Sequence, residues 1–149
     1  MNQLLWLRTD LRCTDNTALC AAMANGPTLA VYFITPEQWL EHDDAPCKVD
    51  FWLRNLAELS QALGRLNVPL LIRQVSDWQA VPKALLQLCS EQHISHVQVN
   101  QEYGIHEQRR DDAACELLAD QNIGFTSHLD QLLFKPGTLL TKTARYYKV

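Results

Sequence analysis

The junction near the N-terminus constrains this chain more than any other stretch. Leu4-Leu5-Trp6-Leu7 is a short apolar run, Arg8-Thr9-Asp10-Leu11-Arg12 follows at once, then Thr14-Asp15-Asn16, then the helical run Thr17–Ala24. An apolar run bounded by polar residues reads as a buried strand. The side-chain oxygen of Asn16 can accept a hydrogen bond from a free amide of the next helix, which makes it an N-cap. A strand that feeds a helix through a charged turn opens an α/β domain. In such domains the loops at the carboxyl ends of the strands carry the function. The Arg8–Asn16 loop is the first of these.

The rest of the chain repeats the alternation. Asn25-Gly26-Pro27 breaks the first helix, and Thr28–Ile34 is a continuous apolar run suited to a strand covered on both faces. Thr35-Pro36 opens a short helical turn, and Pro46 opens a longer helix. Val49, Leu53, Leu56, Leu59, Leu63 and Leu66 recur there at steps of three and four, and Phe51 and Trp52 widen the stripe. Pro69–Val75 is a third strand. A helix with Val81, Leu85, Leu86 and Leu88 inward follows Ser76-Asp77, with Pro82 in its first turn. His96–Asn100 is a fourth strand, Ile105–Asp120 a helix with Ala113, Ala114, Leu117 and Leu118 inward, and Gly124–His128 a fifth strand. Right-handed crossovers then require a parallel sheet with helices on both faces. The expected fold is α/β: a three-layer, doubly wound, Rossmann-like sheet of five parallel strands in the order 3-2-1-4-5. Residues 1–130 form that domain. Residues 131–149 are an extension with a turn at Phe134-Lys135-Pro136-Gly137, a last aromatic-basic run Arg145-Tyr146-Tyr147-Lys148-Val149, and no further βα unit.

Composition narrows the function classes. A chain of 149 residues suffices for one domain with a core, and 47% apolar with 20% charged residues is ordinary for a soluble protein. The net charge of −4 argues against a direct grip on nucleic acid, because phosphate contacts dominate that affinity. Met1-Asn2-Gln3 leads straight into a strand and no apolar run approaches a membrane span, so neither a signal peptide nor membrane insertion is expected. The five cysteines are irregularly spaced without a C-x-x-C, which fits a reducing cytoplasm. Cys20, Cys89 and Cys115 fall in helical patterns and are expected to act as small core residues. A monomer is expected.

Among chemical motifs, Arg8-Thr9-Asp10 stands where a dinucleotide-binding Gly-x-Gly-x-x-Gly would be, and there is no Walker loop. His93 and His96 have no third ligand nearby, so no metal site is expected. A phosphoacceptor receiver domain shares this size and alternation, but its Mg²⁺ site would face Arg8 and Arg12 rather than adjacent carboxylates. Arg8, Asp10 and Arg12 alternate in sign and read first as a salt-bridged loop, with a ligand-phosphate site as the sharper alternative. The remaining constellation is Asn100–Asp111. In the order 3-2-1-4-5, strands one and four are neighbours across the switch point, so their carboxyl-end loops flank one crevice. Taken alone, Glu107 is a first-turn acid favoured by the helix dipole, and His106 a solvated polar residue.

Trp6-Leu7-Arg8-Thr9-Asp10-Leu11-Arg12, with Asp15-Asn16 and Ala18-Leu19 behind it, resembles the N-terminal signature of DNA photolyases and cryptochromes. Thr35-Pro36-Glu37-Gln38-Trp39 with His42, and Tyr103–Asp111, resemble the second- and fourth-strand exits of photolyases that carry a folate antenna. The resemblance covers essentially the whole chain, and Tyr146-Tyr147-Lys148-Val149 matches the segment before the family's interdomain linker. It implies that His42, His106 and Glu107 line a site for 5,10-methenyltetrahydrofolate; the family often has Asn where this chain has His106. It further implies that FAD, the UV-damaged DNA and all catalytic residues belong to a helical domain absent from these residues. The implied activity of the full-length protein is light-driven repair of cyclobutane pyrimidine dimers by electron transfer from reduced FAD. The alternatives are a cryptochrome photoreceptor, or a stand-alone nucleotide-binding or signalling domain.

Overall fold

A computed structural model describes residues 1–143 and 145. The matching of residues 146–149 to a pre-linker segment lies outside the described residues. The elements run β1 (Asn2–Leu7), α1 (Thr17–Asn25), β2 (Thr28–Ile34), α2 (Pro36–Glu41), α3 (Pro46–Arg65), β3 (Leu70–Gln74), α4 (Val81–Glu91), β4 (Ile94–Asn100), α5 (Ile105–Ala119) and β5 (Gly124–His128). All four pairings are parallel, as the alternation predicts, and the strand order is the expected β3-β2-β1-β4-β5.

Side chains of β1 alternate between two cores, which is what a central strand with helices on both faces must do. Leu4 and Trp6 join Val31, Phe33, Leu85, Val97 and Leu118 under α4 and α5. Leu5 and Leu7 join Ala18, Leu19, Ala30, Tyr32, Leu56, Leu59 and Leu63 under α1 and α3. Gly26 ends α1 at φ 151, and a Cβ there would lie 2.3 Å from the Met1 carbonyl oxygen, so the chain start passes where only glycine leaves room.

Three details differ from the sequence reading. The stripe of α3 is buried only at Leu56, Leu59 and Leu63, while Phe51, Leu53 and Leu66 are exposed. Only the three buried leucines reach the core formed with β1, β2 and α1. Cys89 is buried, its thiol pushed up to about 12 by desolvation, but Cys20 and Cys115 face outward on their helices. The fourth strand begins at Ile94, two residues before the expected start, and His96 within it is bonded to the Thr126 hydroxyl at 2.7 Å. Among the described residues no cluster of three His, Cys, Asp or Glu could hold a metal ion, and no helix is long and apolar enough to cross a membrane.

Candidate functional site

The carboxyl end of the sheet carries two polar constructions on either side of β1. The first caps α1. Thr17, Ala18 and Leu19 present the free amides of the first turn. They donate to Asp130 Oδ1 (2.9 Å), Asn100 Oδ1 (2.9 Å) and Asn16 Oδ1 (3.0 Å). Asn100 Nδ2 in turn donates to Asp10 Oδ2 at 2.7 Å and Asn16 Oδ1 at 2.9 Å. Asn16 is therefore the expected N-cap, and Asp10 serves this network. The Asp130 carboxyl, itself desolvated, is held below its ordinary value by the Thr17 amide and Arg12. In a nucleotide-binding fold these amides would cradle a phosphate. Here three side-chain oxygens already occupy them, so the arrangement does not fit a flavin diphosphate at this position.

The second construction is a buried ion network beneath the crevice. Arg110 Nη2 lies 2.7 Å from both Glu102 Oε2 and Asp111 Oδ1. Arg8 lies 3.8 Å from Glu102 and 3.3 Å from Asp111, and its Nη2 donates to the Asn100 carbonyl. The Thr9 hydroxyl donates to Glu102 Oε1 at 2.6 Å. Both guanidinium carbons sit over the Trp6 ring, at 4.8 and 4.9 Å from its centroid, within cation–π range. Burial opposes every one of these charges. For Glu102 the two guanidiniums and the Thr9 hydroxyl outweigh it, holding the carboxyl below its ordinary value. Desolvation prevails for Asp111, whose pKa is raised, and for Arg8, whose pKa is lowered. The expectation that Arg8, Asp10 and Arg12 pair among themselves is thus corrected. Arg8 pairs across the sheet with Glu102 and Asp111, and Arg12 pairs with Asp130 beyond β5. Successive charges on the loop leave in different directions: Arg8 reaches the β4 exit and α5, and Arg12 the segment after β5, two strands away.

Above the network opens a crevice of about 680 Å³, the solvent at its mouth included, over the carboxyl ends of β1 and β2. All four tryptophans of the chain line it: Trp6 as its floor, with Trp39, Trp52 and Trp78 around it. Trp39 and Trp52 pack at 6.0 Å between ring centroids. Glu107, half-buried in the first turn of α5, and His42, at the end of α2, share this crevice. His106 does not line it. It borders an adjoining cavity together with His42, Trp78, Arg109 and Arg110, with its ring 6.5 Å from that of His42. The Gln38 amide donates to His42 Nε2 at 2.6 Å, and the His42 ring lies 5.8 Å from Trp78. The structure therefore brings His42 and Glu107 to the crevice, with Trp39, Trp52 and Trp78 as its walls, and sets His106 in the adjoining cavity that His42 also borders. Glu102, Arg110 and Asp130 escaped the sequence reading as working residues. The first two lie inside the Asn100–Asp111 constellation, which the expected strand order sets beside Arg8.

The DNA photolyase family model matches residues 3–149. The chain belongs to the DNA photolyase family. It is 44% identical over 148 residues to the deoxyribodipyrimidine photo-lyase of Vibrio cholerae serotype O1, covering 99% of this chain and 32% of that protein. It is 31% identical over 148 residues to Cryptochrome-1 of Arabidopsis thaliana, covering 98% of this chain and 21% of that one. Among solved structures, a bacterial class III photolyase from Agrobacterium tumefaciens superposes with a TM-score of 0.77 at 28% identity, over 99% of this chain and 30% of the other. The chain thus spans about a third of the length of the curated photolyases it matches.

Proposed function

We propose that this chain is the antenna-binding α/β domain of a deoxyribodipyrimidine photolyase. In this reading residues 1–130 form the domain, and residues 131–149 lead toward a helical domain that holds FAD and damaged DNA. The full-length enzyme repairs cyclobutane pyrimidine dimers by light-driven electron transfer from reduced FAD; the chain itself supplies no catalytic residue. The observation that carries this is the tryptophan-lined crevice with one free carboxylate at its rim.

The side chains present fit a reduced-folate chromophore. A pterin offers two parallel N–H donors on its amino-pyrimidinone edge, and a carboxylate accepts such an edge in bidentate fashion. Glu107 has that chemistry, and His42 and His106 can each accept or donate one further bond. The indoles of Trp39, Trp52 and Trp78 give flat apolar walls that exclude water and strengthen those bonds. Once bound, 5,10-methenyltetrahydrofolate would supply near-UV absorption and pass excitation to the flavin. The acidic net charge supports assigning DNA contact to the other domain, and no membrane role is part of the reading. A monomeric protein of the cytoplasm fits it.

The second reading is a cryptochrome photoreceptor, to which the 31% identity with Cryptochrome-1 gives some support. A stand-alone nucleotide-binding domain is disfavoured by the occupied amides of α1. Blue-light irradiation of the full-length protein with an oligonucleotide carrying one thymine dimer separates the first two. Splitting of the dimer is expected; a flavin that photoreduces while the dimer survives would favour the photoreceptor. The isolated chain should purify without a flavin spectrum, and a stoichiometric flavin would contradict the division of labour.

A further inference from the structure

Gly104 is the N-cap of α5, at φ −68 and ψ 148. Every residue adopts that backbone, so conformational freedom does not explain a glycine here. The space around it does. A Cβ on Gly104 would lie 2.0 Å from Glu107 Oε2, 2.6 Å from its Cδ and 3.0 Å from Oε1. The Glu107 carboxylate therefore rests across the bare α-carbon of the cap residue, in the volume that any side chain at 104 would take. Among the described residues Glu107 makes no side-chain hydrogen bond or ion pair, although it lines the crevice beside Arg8, Glu102 and Arg110. The missing Cβ leaves its carboxylate the room to lie there.

We propose that Gly104 is a positioning residue: its bare α-carbon is the seat on which the Glu107 carboxylate is held at the crevice rim for the chromophore's paired N–H donors. This rests on the reading of Glu107 as the chromophore's carboxylate. A methyl or hydroxymethyl group at 104 pushes the carboxylate off its seat. The colliding atoms are the far end of a flexible side chain, so the backbone need not move and the fold is retained.

The test is a double-mutant cycle in the full-length protein, titrated with 5,10-methenyltetrahydrofolate and followed by near-UV absorption. Gly104→Ala and Glu107→Gln should each weaken binding by about tenfold or more, the worth of a hydrogen bond to a charged group. The double variant should be no worse than Glu107→Gln alone, because the two act through one carboxylate. Gly104→Ser sharpens the test. Serine is a better N-cap than glycine, so the melting temperature should hold or rise while folate binding falls, a divergence that loop distortion would not produce. If Glu107→Gln weakens folate while Gly104→Ala does not, or if the two losses add, the seat is wrong and the reading of Glu107 stands. If Glu107→Gln binds folate normally, the reading itself fails and the seat with it.

Discussion

Glu102 and Glu107 stand five residues apart at the exit of β4 and meet opposite conditions. Glu102 is buried between two guanidiniums and the Thr9 hydroxyl, and both its carboxylate oxygens are engaged inside the protein. Glu107 is half-buried at the rim, rests on a glycine, and faces indole walls with no partner of its own among the described residues. A buried network of opposite charges ties β1, β4 and α5 together. Removing one member is costly because the others are left buried without a counter-charge. A carboxylate without a partner, placed where water is partly excluded, is available for something that is not protein. One fold thus uses a single chemical group as mortar at one position and as a receptor at another, and burial decides which.

The largest effect should come from breaking the closed side. Arg110→Met keeps the apolar stem over Trp6 but leaves Glu102 and Asp111 with Arg8 alone, and should cost about 3–5 kcal/mol in urea unfolding. A loss under about 1 kcal/mol would mean that the network is solvated and contributes little. Close behind is the core on the opposite face. Leu56 is 1% exposed, and Leu56→Ala should cost about 2–5 kcal/mol.

That second number shows what the sequence made legible. Period-3.6 spacing placed Leu56, Leu59 and Leu63 correctly, and the βα alternation with right-handed crossovers implied the parallel sheet, whose strand order is the commonest of the doubly wound kind. Periodicity says which side of a helix is apolar but not how far the underlying sheet extends, so Leu53 and Leu66 were assigned to a core that ends before it reaches them. The same blindness hid the partners of Arg8 and Arg12. Loops that approach only after the sheet has assembled pair residues more than ninety positions apart, and no local pattern records it. Glu107 was singled out from motif resemblance; its spacing alone would have left it a helix-start acid.

Acid should weaken the fold at two groups in turn, His128 and then Glu102. Desolvation and the neighbouring His96 lower the pKa of His128, so the folded state favours the neutral ring. Its share of stability is present above the ordinary value of 6.5 and is lost as pH falls through the depressed folded value. Glu102 is likewise held below its ordinary 4.5, so its share is present above that pH and is lost further down. His128→Gln should flatten the upper part of a stability–pH curve and Glu102→Gln the lower part. A curve unchanged by both variants would remove these groups from the account. Asn16→Ala, which deletes one of the three caps of α1, should cost about 0.5–2 kcal/mol. Leu66→Ala, at the exposed C-cap of α3, should shift stability by less than about 0.5 kcal/mol. Equal losses at Leu66 and Leu56 in the same melts would restore the full stripe.

The contrast between the two carboxylates is tested most directly by the dissociation constant of 5,10-methenyltetrahydrofolate for full-length Glu107→Gln. The variant should unfold within about 1 kcal/mol of the parent, since it gives up only a helix-start charge. Its folate binding should weaken by about 10- to 100-fold, the equivalent of one lost hydrogen bond to a charged group. A Glu107→Gln protein that keeps its near-UV folate band at normal occupancy through dilution and gel filtration would contradict the assignment and return Glu107 to the role of a helix-start acid.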